Sequence, residues 1–361
     1  MSNVVFILGA GASRQAGAPL MADFLDVATD LLRTNRVNEA RDHFERVLSA
    51  IGGLQAVHSK AQLDLNNIES IFTAFELGRI IRRVPGVPTE EIADTINSLK
   101  ELIVRTLQAT MPFPTRRSWI GVPTPYDSFA DLLEHLASEA FPTQTSSVIT
   151  FNYDVAADMA LFRAGLGPNY AVDGSRANSG VDLLKLHGSL NWATETESRR
   201  ICPLHLQQYF QKYSIMGFEE HGEVTLPIGS QLQEFFTHHA QPAIQVDAEP
   251  VIVPPSWNKA DYHQALSNVW AAAASHLAEA EHIFVAGYSL PVTDSFFRHL
   301  FALGSVGKTA LRRLVVFNPD KTVDQRFRSL LGPGALARYE FHPLKFDECI
   351  DFIKRSFPKR K

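Results

Sequence analysis

The sequence predicts an α/β fold: a doubly wound, mainly parallel sheet with a helical insertion. Short apolar runs without alternation recur along the chain, the pattern of strands covered on both faces. Apolar residues at helical spacing fill most of the intervals between them, as crossovers between parallel strands require. With 361 residues, 45% hydrophobic and 20% charged, the chain can bury one large core or two modest ones.

Val4–Leu8 opens the series; it lacks a basic leader and a cleavage region, so it reads as a first strand and not a signal peptide. From about 23 to 145 the pattern is helical throughout. Asp26–Leu32 and Ala40–Ile51 carry apolar residues at helical spacing. Asn66-Asn67-Ile68-Glu69 offers an Asn cap followed by an acid, before the apolar face Ile71-Phe72-Ala74-Phe75. Further helices are predicted over Glu90–Thr110 and Ser128–Ala140, with the Pro-rich Met111–Pro125 as a loop. This is too much helix for one crossover, so 23–145 reads as an insertion. Ser147–Thr150, Leu183–Leu186, His282–Ala286 and Leu314–Phe317 continue the strands. Pro250–Val253 is a sixth candidate, running into Pro254-Pro255, and Arg338–His342 an edge strand.

A second, irregular insertion spans about 191–248. Its His205, His221, His238 and His239 have no metal-ligand spacing and read as surface or packing residues. Residues 1–345 are expected to form one domain, followed over 346–361 by a helix and a basic tail ending Lys359-Arg360-Lys361. The net charge of −5 argues against a nucleic-acid or membrane-surface binder, and no apolar run is long enough to span a bilayer. Cys202 and Cys349 are the only cysteines, too few for a four-thiolate zinc site and consistent with a reducing cytoplasm.

The first strand ends in Gly9-Ala10-Gly11-Ala12-Ser13. Such a turn suits the phosphates of a dinucleotide in a Rossmann-like sheet, with Gly9 and Gly11 allowing close approach and Ser13 adding a donor. Arg14 stands where a third glycine is usual, so a plain strand–helix turn is the alternative. Arg14 itself reaches the phosphates or stays exposed. Two other strands end in polar groups: Thr150-Phe151-Asn152-Tyr153-Asp154, and His187-Gly188-Ser189 after Leu186. Residues past the carboxyl ends of strands line the crevice of an open α/β sheet. Alone, Asn152 is equally a turn former and His187 a core histidine. Phe6, Phe151 and Phe284 read as core and not as a cofactor box.

Together these motifs resemble the sirtuin superfamily. Gly9–Ser13 is similar to its GAGxS loop, 150–154 to TQNID, His187-Gly188 to the catalytic HG, Gly287-Tyr288-Ser289 to the later GTS, and Asn318 to the asparagine after the next strand. The four-cysteine zinc module is absent, so no zinc is expected. The TFNYD form, the 186–192 run and the helical insertion resemble the sirtuin-like NADases of bacterial antiphage defence. The resemblance implies NAD⁺ as substrate, cleaved at the nicotinamide–ribose bond to nicotinamide and ADP-ribose. Asn152 would position ribose and water, and His187 would accept a proton. Ala10, Ala12 and the rest of the glycine turn would hold phosphate. Asp154 would engage the carboxamide or simply cap a turn. Gly287 and Ser289 would meet the adenosine side, and Asn318 its ribose, although Asn318-Pro319-Asp320 is also a plain turn. The turn 254–259 is expected at the site mouth without a catalytic role. The resemblance further implies a homo-oligomer or an activating partner, such as a hexameric ATPase or a short Argonaute protein. No second sensor is seen after about 345, which assigns sensing to another protein. Two other activities remain open: NAD-dependent protein deacylation, and non-catalytic sensing of NAD⁺ or ADP-ribose.

Overall fold

The computed structural model describes residues 2–55, 63–117, 119–138, 144–177, 180–214, 222–240, 242–253, 260–291, 294–304, 306–307 and 309–358. A seven-stranded sheet lies at its centre, with every pairing parallel. Its strands are β1 (Ser2–Leu8), β2 (Gln144–Thr150), β3 (Pro168–Asn169), β4 (Val181–Lys185), β5 (Ala280–Ala286), β6 (Arg313–Phe317) and β7 (Tyr339–His342). The order across the sheet is β7-β6-β5-β1-β2-β4-β3. The chain winds outward from β1 through β2 and β4, then returns to build β5, β6 and β7 on the other side. That reversal beside β1 opens a crevice at the carboxyl ends of the strands.

The register levels those ends. Leu8 pairs with Ala286 and with Thr150, Thr150 with Lys185, Ala286 with Phe317, and Phe317 with His342. The segments that follow, beginning at Gly9, Phe151, Leu186, Gly287 and Asn318, therefore emerge side by side. Val4, Val5, Ile7, Leu183, Leu184, Val315 and Val316 are fully buried, as continuous apolar runs between two helical layers must be.

The insertion after β1 carries helices Phe24–Arg33, Arg41–Gln55, Ile68–Ile81, Ile92–Thr110 and Tyr126–Leu136. It is not helical throughout, and Met111–Pro125 is not only loop. Phe113–Arg116 and Trp119–Ile120 form an antiparallel hairpin, which Glu223–Val224 joins on the other edge. Phe113 and Thr115 face inward and Arg116 outward, a period of two that the flanking prolines mask in the sequence. The sixth candidate strand lies outside the main sheet: Val251–Ile252 pairs antiparallel with Gly188–Ser189. The second insertion has regular structure of its own, with the strand pair Trp192–Thr194 and Ile201–Pro203 and helices Leu206–Ser214 and Ser230–His238. His205, His238 and His239 are exposed, and His221 lies outside the described residues. The C-terminal helix Phe346–Ser356 packs on Tyr126–Leu136, with Phe346 5.2 Å from the Tyr126 ring and 5.5 Å from that of Phe129.

Candidate functional site

A cavity of about 660 Å³ stands over the carboxyl ends of the strands. That volume lies within the range of small-molecule sites. Ala10, Gly11, Ser13, Asn152, Asp154, His187, Gly287, Ser289 and Asn318 all line it, brought together from five strand ends. Gly9 and Ala12, expected at the phosphate, do not line it. The turn 254–259 lies outside the described residues.

The glycine turn is shaped by its protein neighbour. A Cβ at Gly9 would lie 2.5 Å from Tyr288 Cα, and one at Gly287 would lie 2.2 Å from the Ala12 nitrogen. The 9–12 and 287–288 backbones are thus in direct contact, bonded from the Gly9 amide to the Ala286 carbonyl (3.1 Å) and from the Gly11 amide to the Gly287 carbonyl (2.9 Å). Those amides are committed within the protein and are not free for an anion. The helix Ala10–Ser13 is a single turn, followed by the 3₁₀ turn Arg14–Ala16. The free array of helical amides expected from the sequence is therefore reduced. Arg14 also lines the cavity and pairs with Asp23 at 2.6 Å.

Ser13 is the hub of a buried network. Its hydroxyl donates to Asp154 Oδ2 at 2.7 Å and accepts from Asn152 Nδ2 at 2.9 Å. With its one proton committed to Asp154, its 2.9 Å bond with Tyr126 places the phenol as donor. Asn152 Nδ2 spends its second proton on the Gly9 carbonyl at 3.0 Å. The amide nitrogen is used up in holding the turn. Among the described residues the Asn152 carboxamide oxygen accepts no hydrogen bond, and it is the group this side chain can offer a ligand.

Asp154 makes a local turn before the next helix: its Oδ1 accepts from the Ala156 amide at 2.9 Å. Burial raises its pKa, partly opposed by the Lys185 charge and by the bonds from Ala156 and Ser13. Burial, with a contribution from Asp154, also pushes the Tyr126 phenol well above its ordinary value, so it remains a donor.

His187 is buried, with its ring edge-on to Phe151 at 5.2 Å. The loop around it is tied down from two sides. The Val253 amide donates to the His187 carbonyl (2.9 Å), and the Leu190 amide to the Tyr153 carbonyl (2.9 Å). The Tyr153 hydroxyl donates to the Val253 carbonyl (3.0 Å).

Phe6 and Phe284 are core residues, in contact at 6.0 Å between ring centres. Phe151 is not only core: it lines the cavity, stacked on Tyr288 at 4.2 Å with planes 9° apart. The Tyr288 hydroxyl donates to Asp294 Oδ2 at 2.6 Å. Burial, then Asp294, raise the Tyr288 pKa, and burial, then Glu69 and Asp294, raise that of Tyr153. Glu69, Asp294, Arg326 and Lys345 are cavity residues with no strand-end signal in the sequence. Arg326 donates to the Ser289 carbonyl at 3.1 Å. Asn318 Oδ1 accepts from the Asp320 amide at 3.0 Å, so it both makes its turn and faces the cavity. Among the described residues no cluster of three His, Cys, Asp or Glu side chains could hold a metal.

No family model and no curated protein matches the chain. Solved structures that resemble it include Sir2 with a p53 peptide and NAD⁺ (14% identity, TM-score 0.42, 98% of this chain and 92% of that one). Another is Sir2 with the inhibitor EX-527, 2'-O-acetyl-ADP-ribose and a deacetylated p53 peptide (13%, 0.41, 98% and 93%). A third is a Sir2 homologue–NAD complex (15%, 0.37, 98% and 90%).

Proposed function

We infer that the cavity binds NAD⁺ and that the chain hydrolyses its nicotinamide–ribose bond, releasing nicotinamide and ADP-ribose. One observation carries the reading: Asn152 and His187, from the ends of β2 and β4, line one cavity with the 9–13 turn at the reversal beside β1. The motif order along the sequence, similar to that of sirtuins, supports it.

The chemistry fits these groups. When the C1′–N bond breaks, its electron pair returns to the pyridinium nitrogen and nicotinamide leaves neutral, so no strong acid is needed at the leaving group. Water adds its oxygen to C1′ and gives up a proton. His187 is the acceptor for that proton, as an imidazole can be near neutral pH. The Asn152 oxygen accepts from the attacking water or from a ribose hydroxyl, while its committed Nδ2 prevents rotation. Arg14, Arg326 and Lys345 supply positive charge for a pyrophosphate. In the same reading the chain is an antiphage effector that depletes NAD⁺, held inactive until self-association or a partner activates it.

The test is incubation of the purified chain with NAD⁺, over protein concentrations that drive self-association and with and without the neighbouring gene product, followed by chromatography. Nicotinamide and ADP-ribose should appear, and Asn152→Ala and His187→Ala should each lower the rate about 100-fold or more. Circular dichroism checks that both variants fold. Full activity in both would remove them from the site, and wild-type protein that neither binds NAD⁺ by calorimetry nor cleaves it would refute the reading. Nicotinamide release that requires an acyl-lysine peptide would replace hydrolysis with deacylation.

A further inference from the structure

Beneath the cavity lies a charge that this reaction does not use. Lys185, the last residue of β4, is 0% exposed. Its ammonium donates to the Asp154 carbonyl at 2.7 Å and to Ser189 Oγ at 2.5 Å, and pairs with Asp158 Oδ2 at 2.7 Å. Two of its protons thus meet acceptors on the loops after β2 and β4, and its charge pairs with helix Ala156–Arg163. The network continues through buried groups. Ser189 Oγ donates to Asn191 Oδ1 (2.6 Å), Asn191 Nδ2 to Tyr170 Oη (3.1 Å), and Tyr170 Oη to Asp158 Oδ1 (2.6 Å). A well-packed apolar pair in place of a buried ion pair is often as stable or more so, so stability alone does not explain these charges. Their placement does: Asp154 follows Asn152 by two residues, and Ser189 follows His187 by two.

We propose that Lys185 is a positioning residue: by holding the Asp154 carbonyl and the Ser189 hydroxyl on one ammonium, it sets the orientation of Asn152 relative to His187. The proposal rests on the reading of those two residues as the reactive pair. A compact ammonium can donate to two segments and pair with a carboxylate on a third, which the planar fork of arginine cannot do in the same space.

The variant Lys185→Met/Asp158→Asn removes both charges and keeps the Tyr170 bond, while Ser189→Ala cuts the bond to the His187 loop, along with the Ser189–Asn191 bond, and leaves Lys185 on Asp154 and Asp158. The double variant should melt within about 5 °C of wild type. Its kcat for nicotinamide release should fall about 100-fold with KM for NAD⁺ little changed, and the nitrogen NMR shifts of the His187 ring should move. Ser189→Ala should change kcat and ring shifts in the same direction, by less. A folded double variant, or Ser189→Ala if the double variant does not fold, with wild-type ring shifts and wild-type kcat would overturn the proposal. The ring shifts need no substrate, so wild-type protein that neither binds nor cleaves NAD⁺ under any of those conditions would defeat the reaction while leaving the tether decided by NMR.

Discussion

Gly287 meets two constraints at once. Its φ is +64°, a region costly for any residue with a Cβ, and that Cβ would press on the Ala12 nitrogen at 2.2 Å. The neighbour is backbone in a tight turn and cannot swing aside. Gly287→Ala is therefore expected to lose on the order of 3 kcal/mol, read as a lower urea midpoint with an unchanged slope. An unchanged midpoint would mean that the 9–12 and 287–288 segments do not touch. Residues of this kind were legible in part. Asn152 and His187 stood out because polar groups directly followed apolar strands. The reason for the glycines did not, because what they contact lies more than 270 residues away. Asp294 and Arg326 gave no signal, since they reach the cavity from helices and turns whose placement depends on packing, and neither did Tyr126, which supports Ser13 from a helix behind it. Phe151 was read as core because an apolar residue carries no mark of which cavity it faces.

At the scale of elements, the helix Ile68–Ile81 shows how a local signal serves the site. Asn67 Oδ1 accepts from the Glu69 amide at 2.9 Å, satisfying one of the free amides of the first turn. Asn67 and Glu69 both line the cavity, so the same cap that starts the helix fixes part of its wall. Asn67→Ala should cost about 1 kcal/mol in chemical denaturation, and Asn67→Asp should recover most of it. Equal stability of all three proteins would show that the cap does not hold this helix. The five long strands were legible as continuous apolar runs, and the insertion helices by the helical spacing of their apolar residues. The edge strand Pro168–Asn169 was not, being two residues long and without apolar character. The hairpin over 113–120 was hidden by prolines, and Val251–Ile252 joined a different partner because pairing choice is a tertiary matter.

At the scale of the whole molecule, the reversal beside β1 places the polar ends of β2 and β4 over one crevice, and the helical insertion closes its other side through Asn67, Glu69 and Leu107. The opposite end of β4 is held by charge. Asp182 accepts from Asn169 Nδ2 at 2.6 Å and from the Ala177 amide at 2.9 Å, and pairs with His276 Nε2 at 2.7 Å, joining β3, β4 and helix Ala260–Glu279. Burial alone would raise the Asp182 pKa, but the bonds from His276, Asn169 and Ala177 outweigh it and hold the carboxyl below its usual range. A depressed carboxylate contributes stability that is fully present above the unfolded pKa of about 4 and is lost as pH falls through the lower folded value. Asp154 acts with the opposite sign, since burial raises its pKa and its ionisation as pH rises costs stability. Comparing wild type with Asp182→Asn cancels that contribution, because Asp154 is present in both. The wild-type advantage should be on the order of 2 kcal/mol at pH 7 and shrink as pH drops below about 4, measured by urea unfolding across that range. An advantage that stays constant down to pH 2 would place the stabilisation in packing and not in the ionised carboxylate.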